Sequence, residues 1–213
     1  MNLVIFHQFL PIAFWCFSTK MAAMRISDDR YSRERACMEL ALRFLHHEAR
    51  TQTIRAWTGL SDDRIRKLYR SYMSQARRQL PRHRGKSPHQ VAYFSRSLRL
   101  QEETALLASV MSLLGVVPLP TPGSVGAEAG GPPVPGVSRG ELLCQAFEAF
   151  RLLLPAAQIS FEHAVFLANS LVRADQLRLG DCSYCGSLLV TERFTLRGAR
   201  CSHCAGKVCD LQG

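Results

Sequence analysis

Four of the eight cysteines form two Cys-x-x-Cys pairs near the C-terminus, and their type and spacing suit metal binding. Cys182 and Cys185 form the first pair, and Cys201 and Cys204 form the second, with 15 residues between the pairs. This spacing is typical of a four-thiolate zinc site, because each pair directs two sulfurs at one point and two pairs complete a tetrahedron. Such a closed shell has no position for substrate, so the predicted zinc ion is structural.

Other interpretations of these cysteines are two disulfides, four free thiols or an iron site. Disulfides require an oxidising compartment, and the other four cysteines are scattered rather than arranged as a disulfide framework (Cys16, Cys37, Cys144 and Cys209). Zinc is favoured over iron because no other feature indicates redox chemistry. Cys209 and His203 remain alternative ligands.

The segments around the cysteines predict a small zinc ribbon appended to a helical body. Residues 188–191 and 193–196 have the composition of two short strands between the pairs. Elsewhere strand-like runs are scarce, and 47% of the residues are hydrophobic, which is sufficient for a core. The predicted fold class is therefore mainly α, a helical bundle containing a helix-turn-helix-like pair, with a C-terminal zinc ribbon.

The positive charge is concentrated in one third of the chain. The net charge is +10, and residues 25–100 hold 18 Lys and Arg against 7 Asp and Glu, so the remaining residues sum to −1. A contiguous basic region is the electrostatic footprint expected for a nucleic-acid partner. A solvated basic surface without a partner is the alternative.

Residues 51–70 predict a helix, a turn and a second helix. Gly59 supplies the conformational freedom of the turn, and Ser61 is the predicted N-cap of the second helix. In a helix-turn-helix the second helix lies in the major groove, and arginine suits guanine edges and phosphates. The predicted DNA contacts on this helix are Arg64, Arg66, Lys67 and Arg70. Similar helix pairs also occur in proteins that do not bind DNA.

A basic segment follows this helix pair. Its Pro and Gly residues argue against a continuous helix, and its charge suits phosphate contacts from a flexible arm. The predicted phosphate-binding residues are Arg77, Arg78, Arg82, Arg84 and Lys86. An exposed loop without a partner is the alternative.

The sequence as a whole divides into five predicted regions. Helices are predicted from Ser32 to about residue 48, over residues 91–114 and 141–154, and after a cap at Ser160. The predicted regions are 1–24, an apolar extension that is untranslated (with a true start at Met21 or Met24) or disordered; 25–114, a basic helical DNA-binding region; 115–140, a Gly/Pro-rich linker; 141–180, a helical pair completing the core; and 181–213, the four-cysteine zinc ribbon.

No catalytic constellation stands out in the sequence. There is no Ser/His/Asp grouping, Gly-rich phosphate loop or paired carboxylate in a suitable context, so an enzyme is not expected. The apolar N-terminal stretch lacks the basic residues of a signal peptide, and Pro11 interrupts it before it reaches the length of a membrane span. The expected location is the cytoplasm, with no membrane partner.

Two stretches together resemble the FlhC family, a subunit of the bacterial flagellar master regulator. Residues 48–72, with Thr-Gly-Leu-Ser at 58–61 and Ile-Arg-Lys-Leu-Tyr at 65–69, are similar to its helix pair, and residues 177–204 resemble its zinc segment. The resemblance extends over about residues 32–204 and implies a transcription activator that assembles with an FlhD-like subunit. It also implies binding to promoter DNA of flagellar operons, recruitment of RNA polymerase, and structural zinc held by the four cysteines. An RNA- or ribosome-associated zinc protein and an assembly scaffold that does not bind DNA remain alternatives.

Overall fold

The computed structural model describes residues 26–73, 83, 85–118, 135–194 and 200–205. These residues are mainly helical and include two strands, which confirms the coarse fold class. Short π-helical and 3-10 segments lie at Tyr69–Met73 and Val91–Tyr93. The elements in chain order are α1 (Ile26–His46), α2 (Thr51–Thr58), α3 (Asp62–Leu68), α4 (Leu98–Leu113), α5 (Val137–Leu153), α6 (Phe161–Arg173), β1 (Leu177–Asp181), β2 (Leu188–Glu192) and α7 (Ser202–Ala205).

An aromatic cluster joins the helices of the body. The Phe161 ring on α6 lies 5.0 Å from the Phe44 ring of α1 and 5.3 Å from the Phe147 ring of α5, in edge-on contacts. Trp57 of α2 approaches Phe44 at 6.0 Å between ring centroids. Such edge-to-face pairs add to the stabilisation from burial, and here they hold four helices to one core.

Gly140 permits a close contact between α5 and α1. A Cβ atom at this position would lie 2.6 Å from a methyl group of Leu40, which is itself fully buried. The small residue therefore sets the helix separation. A larger side chain would force α1 and α5 apart or displace Leu40.

One helix begins at its predicted cap, and two other helices begin at residues different from those predicted. The Ser160 hydroxyl accepts a hydrogen bond from the His163 N–H, so the predicted cap of α6 is confirmed. Ser32 lies inside α1, so the cap predicted there is wrong. The helix predicted from residue 91 begins at Leu98, where Ser97 accepts a bond from the Leu100 N–H.

The two strands form an antiparallel pair, with Leu177 opposite Glu192 and Asp181 opposite Leu188. The strand predicted after the first cysteine pair is confirmed as β2, but its partner β1 precedes that pair. Arg193 and Phe194 lie in a turn, and the rest of the second predicted strand lies outside the described residues. β1 packs against α6, and β2 packs against α4.

Several predicted segments lie outside the described residues. They include the apolar extension and residues 119–134 of the predicted linker. The division into five regions therefore stays a prediction. Within the described part of the chain, no helix combines the length and apolar character needed to cross a bilayer.

Candidate metal centre

The first cysteine pair lies in a tight turn that directly follows β1. The Cys182 N–H donates to the Ser187 carbonyl at 2.8 Å, and the Gly186 N–H donates back to the Cys182 carbonyl at 2.9 Å. Gly186 has a φ of +70°, a left-handed conformation that favours glycine. This turn holds Cys182 almost fully buried and leaves Cys185 exposed.

The second pair lies at the start of α7, and a backbone hydrogen bond connects it to the first pair. The Cys201 N–H donates to the Cys182 sulfur at 3.3 Å, and the Cys204 N–H donates to the Cys201 sulfur, also at 3.3 Å. Backbone N–H groups directed at sulfur stabilise the thiolate form, which is the form that binds metal.

All four sulfur atoms lie within 4.8 Å of one another. A tetrahedron with metal–sulfur bonds of about 2.3 Å has sulfur–sulfur edges of about 3.8 Å, so a small contraction would close the shell. The Cys185 and Cys201 sulfurs are 3.6 Å apart, whereas a disulfide bond measures about 2.05 Å. The four residues are free thiols. Cys182, Cys185, Cys201 and Cys204 can therefore hold one metal ion.

The hydrogen bonds separate the acidities of these thiols. Donation by the Cys201 N–H, and by two further backbone N–H groups, lowers the pKa of Cys182 to about 6. The Cys204 N–H lowers the pKa of Cys201 in the same way. Interaction with the Cys201 and Cys185 sulfurs raises the pKa of Cys204 to about 12. The crowded sulfurs thus disfavour a negative charge on Cys204, which a bound cation would compensate.

The alternative ligands do not join this group in the described residues. The His203 ring nitrogens are not among the clustered ligand atoms, and its side chain is exposed. Cys209 lies outside the described residues. Cys144 is buried in the helical core, where burial raises its thiol pKa to about 12, so this cysteine contributes to packing.

The four charged residues predicted on the second helix are exposed. Ile65 and Leu68 form the buried side of α3, whereas the opposite side presents the charges. The exposed set is Arg64, Arg66, Lys67 and Arg70. Arg64 forms an ion pair with Glu34 of α1, and Arg66 Nη1 lies 3.0 Å from Asp63. The structure thus leaves the four predicted residues exposed and assigns them no ligand.

The turn between α2 and α3 follows the predicted chemistry in part. Gly59 has a φ of +70°, and its N–H donates to the Arg55 carbonyl. Ser61 occupies the N-cap position of α3, but its hydroxyl accepts no capping hydrogen bond. Of the predicted arm, Lys86 is described and exposed. Arg77, Arg78, Arg82 and Arg84 lie outside the described residues.

Sequence reasoning missed a buried carboxylate that fixes the N-terminus of α2. Glu162 of α6 accepts a hydrogen bond from the Arg50 N–H at 2.8 Å and another from the Thr53 hydroxyl at 3.0 Å. It thereby acts as a cap supplied by a distant element. Glu162 precedes His163 on a helix that the sequence predicts, but no local signal indicates a partner so far back along the chain.

The described fold and site define a mainly helical protein with a four-cysteine centre able to hold a metal ion. No protein-family model matches the chain, and no curated protein matches it.

Proposed function

We propose that this chain is a zinc-stabilised DNA-binding subunit of a transcription activator of the FlhC kind. It binds promoter DNA of flagellar operons together with an FlhD-like subunit and recruits RNA polymerase. The observation that carries the DNA-binding part is the exposed basic surface of α3 and of the π-helical segment after it, formed by Arg64, Arg66, Lys67 and Arg70. The flagellar part rests on the sequence resemblance alone.

The packing of α3 suits a helix that presents one side to a groove. Ile65 is 1% exposed and Leu68 is 8% exposed, so these side chains anchor the helix to the body. α2 packs against α3 through the turn at Gly59 and is itself anchored by the buried Ile54 and Trp57. A helix braced by a preceding helix can enter the major groove as a rigid unit.

The ion pairs on this surface are weak enough for DNA to replace them. The Arg64–Glu34 and Arg66–Asp63 pairs involve side chains that are 42–83% exposed. Exposed pairs contribute about 0–1 kcal/mol, whereas phosphates offer several charge-assisted hydrogen bonds and release counterions.

The four-cysteine centre supports zinc as the proposed ion. Four sulfurs within 4.8 Å of one another suit zinc or iron–sulfur chemistry. When bound, zinc would supply a cross-link between the two cysteine pairs, and it would leave no open coordination position for catalysis. Metal analysis of the purified protein tests this assignment: about one zinc per chain is expected, whereas an iron chromophore would contradict it.

The DNA proposal is tested by gel shift with a flagellar promoter fragment. The zinc-loaded chain is used alone and co-expressed with its FlhD-like partner, against random duplex and single-stranded RNA competitors. A shift that survives random duplex and requires the partner is expected. Absence of a specific shift in both preparations would refute the activator assignment, and stronger competition by RNA would favour the RNA-associated alternative.

Variants of the α3 surface refine this test. Lys67→Gln combined with Arg70→Gln is expected to weaken DNA binding and to reduce the slope of log affinity against log salt by about 1–2. Arg33→Gln is the matched control, because Arg33 is also exposed but lies on α1 in a pair with Asp29. Equal salt slopes for both variants would instead support the scaffold alternative.

A further inference from the structure

A basic cavity of about 580 Å³ lies between the N-terminal end of α2, the start of α3 and the segment around Gly85. Its charged lining consists of three guanidinium groups and one carboxylate, together with a histidine. The lining residues that carry the argument are Arg50, Arg55, Arg66, His83 and Asp62. The three arginines and Asp62 together carry a formal charge of +2, and the cavity volume lies within the range of small-ligand sites.

The guanidinium groups of Arg55 and Arg66 offer hydrogen-bond donors that the described residues do not use. Arg55 lies 3.7 Å from an oxygen of Asp62 in an ion pair, and its guanidinium donates no hydrogen bond within the described part of the chain. Arg66 bonds Asp63 through Nη1 alone among these residues. Each arginine has about five N–H donors in a planar fork, so both can bind an additional acceptor while they keep their acidic neighbours.

The two remaining basic residues, Arg50 and His83, contact acidic residues that do not line the cavity. Arg50 lies 4.0 Å from the buried Glu162, and Gly85 approaches its guanidinium closely, since a Cβ on Gly85 would lie 3.5 Å from Nη1. His83 contacts Glu48 at 2.9 Å. These contacts fix the direction of the basic groups before any ligand arrives, which reduces the entropy lost on binding.

The backbone adds to the same electrostatic field. Thr51 and Gln52, which also line the cavity, belong to the first turn of α2. The N-terminal end of a helix has a partial positive charge. The helix N-terminus therefore adds to the charge of the three arginines, whereas Asp62, Asp63 and Glu162 offset that charge. The unused donors of Arg55 and Arg66, rather than a net charge, favour an anion.

We infer that this cavity binds a phosphate group, held by Arg55 and Arg66 with Arg50 behind them. The planar forks of arginine match the oxygens of a phosphate in two-point contacts. The phosphate comes either from a nucleic-acid backbone that passes over α2 and α3 or from a small phosphorylated molecule. The inference does not require promoter binding, so failure of the promoter experiment leaves it standing.

Isothermal titration of the full, zinc-loaded chain with pyrophosphate tests the inference. Arg55→Gln is expected to weaken pyrophosphate binding about tenfold or more, on the scale of one charge-assisted hydrogen bond. Arg33→Gln is the matched control, because Arg33 is an exposed, ion-paired arginine of α1 that does not line the cavity. Asp62→Asn removes the negative charge of the lining and is expected to strengthen binding, a result that misfolding would not produce.

The same variants identify the source of the phosphate. If the phosphate belongs to a nucleic acid, Arg55→Gln also weakens duplex binding and reduces its salt slope by about 1. If it belongs to a small molecule, duplex binding is unchanged while pyrophosphate binding is weakened. No heat at millimolar pyrophosphate, or equal affinities for Arg55→Gln and Arg33→Gln, would overturn the inference.

Discussion

Replacement of Glu162 by alanine should destabilise the protein far more than replacement of any surface carboxylate. Glu162 is 6% exposed and lies on α6, yet it caps α2 through the Arg50 N–H and the Thr53 hydroxyl. The substitution removes the acceptor of two hydrogen bonds and the acidic partner of the Arg50 side chain. The affected groups cannot all reach water, because Thr53 is 7% exposed.

The magnitude follows from the two hydrogen bonds. A hydrogen bond to a charged group contributes about 1.5–3 kcal/mol, and a buried donor left without an acceptor costs about 1–3 kcal/mol. The two estimates describe the same loss and are not summed. For two such donors, Glu162→Ala is expected to lower the free energy of unfolding by about 3–5 kcal/mol. Glu162→Gln retains one acceptor oxygen and should cost about half as much.

Urea unfolding followed by circular dichroism measures these differences, with metal-loaded protein throughout. Glu39→Ala is the matched control, since Glu39 also pairs with an arginine (Arg35) but is 58% exposed on α1; a change below about 1 kcal/mol is expected there. A loss for Glu162→Ala as small as that of Glu39→Ala would refute the reasoning. It would show that water or another group replaces the carboxylate at α2.

Three further features of the structure lead to predictions of their own. Gly140→Ala should lower the free energy of unfolding by about 1–3 kcal/mol in urea, because the new methyl group collides with Leu40; an increase would mean that improved helix propensity dominates. Burial lowers the pKa of His47 and of His163, so both are held neutral in the folded state. In the unfolded chain a histidine gains its proton near about pH 6.5. The free energy of unfolding should therefore decrease as the pH falls below this value towards the lower pKa values of the folded state. Urea unfolding at about pH 7.5 and about pH 5.5, on either side of that value, should show this decrease in the free energy of unfolding. A double His→Gln variant should show a smaller decrease. An equal decrease in the variant would mean that other groups cause it. Cys182→Ser should lose the metal, as measured by metal analysis, and full occupancy would contradict the four-sulfur site.

The features that the sequence predicted well depend on local patterns. The clustering of the two cysteine pairs was predictable because each Cys-x-x-Cys turn is a short-range structure and the spacing between the pairs is typical of a zinc site. Ser160 was found as a helix cap because the capping bond spans three residues. The buried and exposed sides of α3 follow from helical periodicity around Ile65 and Leu68.

The features that were missed depend on distant parts of the chain. β2 pairs with a strand before the first cysteine pair, because the hydrophobic Leu177 enters the helical core and starts β1 there. The cap at Ser32 was wrong because the helical pattern continues upstream of it, so a residue with good capping chemistry occupies a helix interior. The cavity lined by Arg50, Arg55 and His83 required the packing of three separate segments, for which the sequence has no local signal.

The apolar packing around the cysteines is too small to hold this part of the chain without a metal. Its buried cluster consists of Leu189 with Cys182 and Cys201. A buried leucine contributes about 1.5–3 kcal/mol, and Leu177, Leu179 and Val190 add contacts with the helical core. Ordering the residues between the two cysteine pairs costs about 1–2 kcal/mol for each residue, which is larger in sum. Metal binding therefore has to supply most of the local stability.

The consequences of metal loss should stop at the interface with the helical body. β2 and α7 pack against α4, and β1 packs against α6. The aromatic contacts of Phe161 with α1 and α5 involve none of the four clustered cysteines. In Cys182→Ser, hydrogen exchange should accelerate in β2 and in the part of α4 that it covers, whereas α2 and α6 stay protected. Loss of protection throughout α1, α2 and α6 would show that the metal centre and the helical body fold as a single cooperative unit, and that the exposed surface of α3 depends on the metal as well.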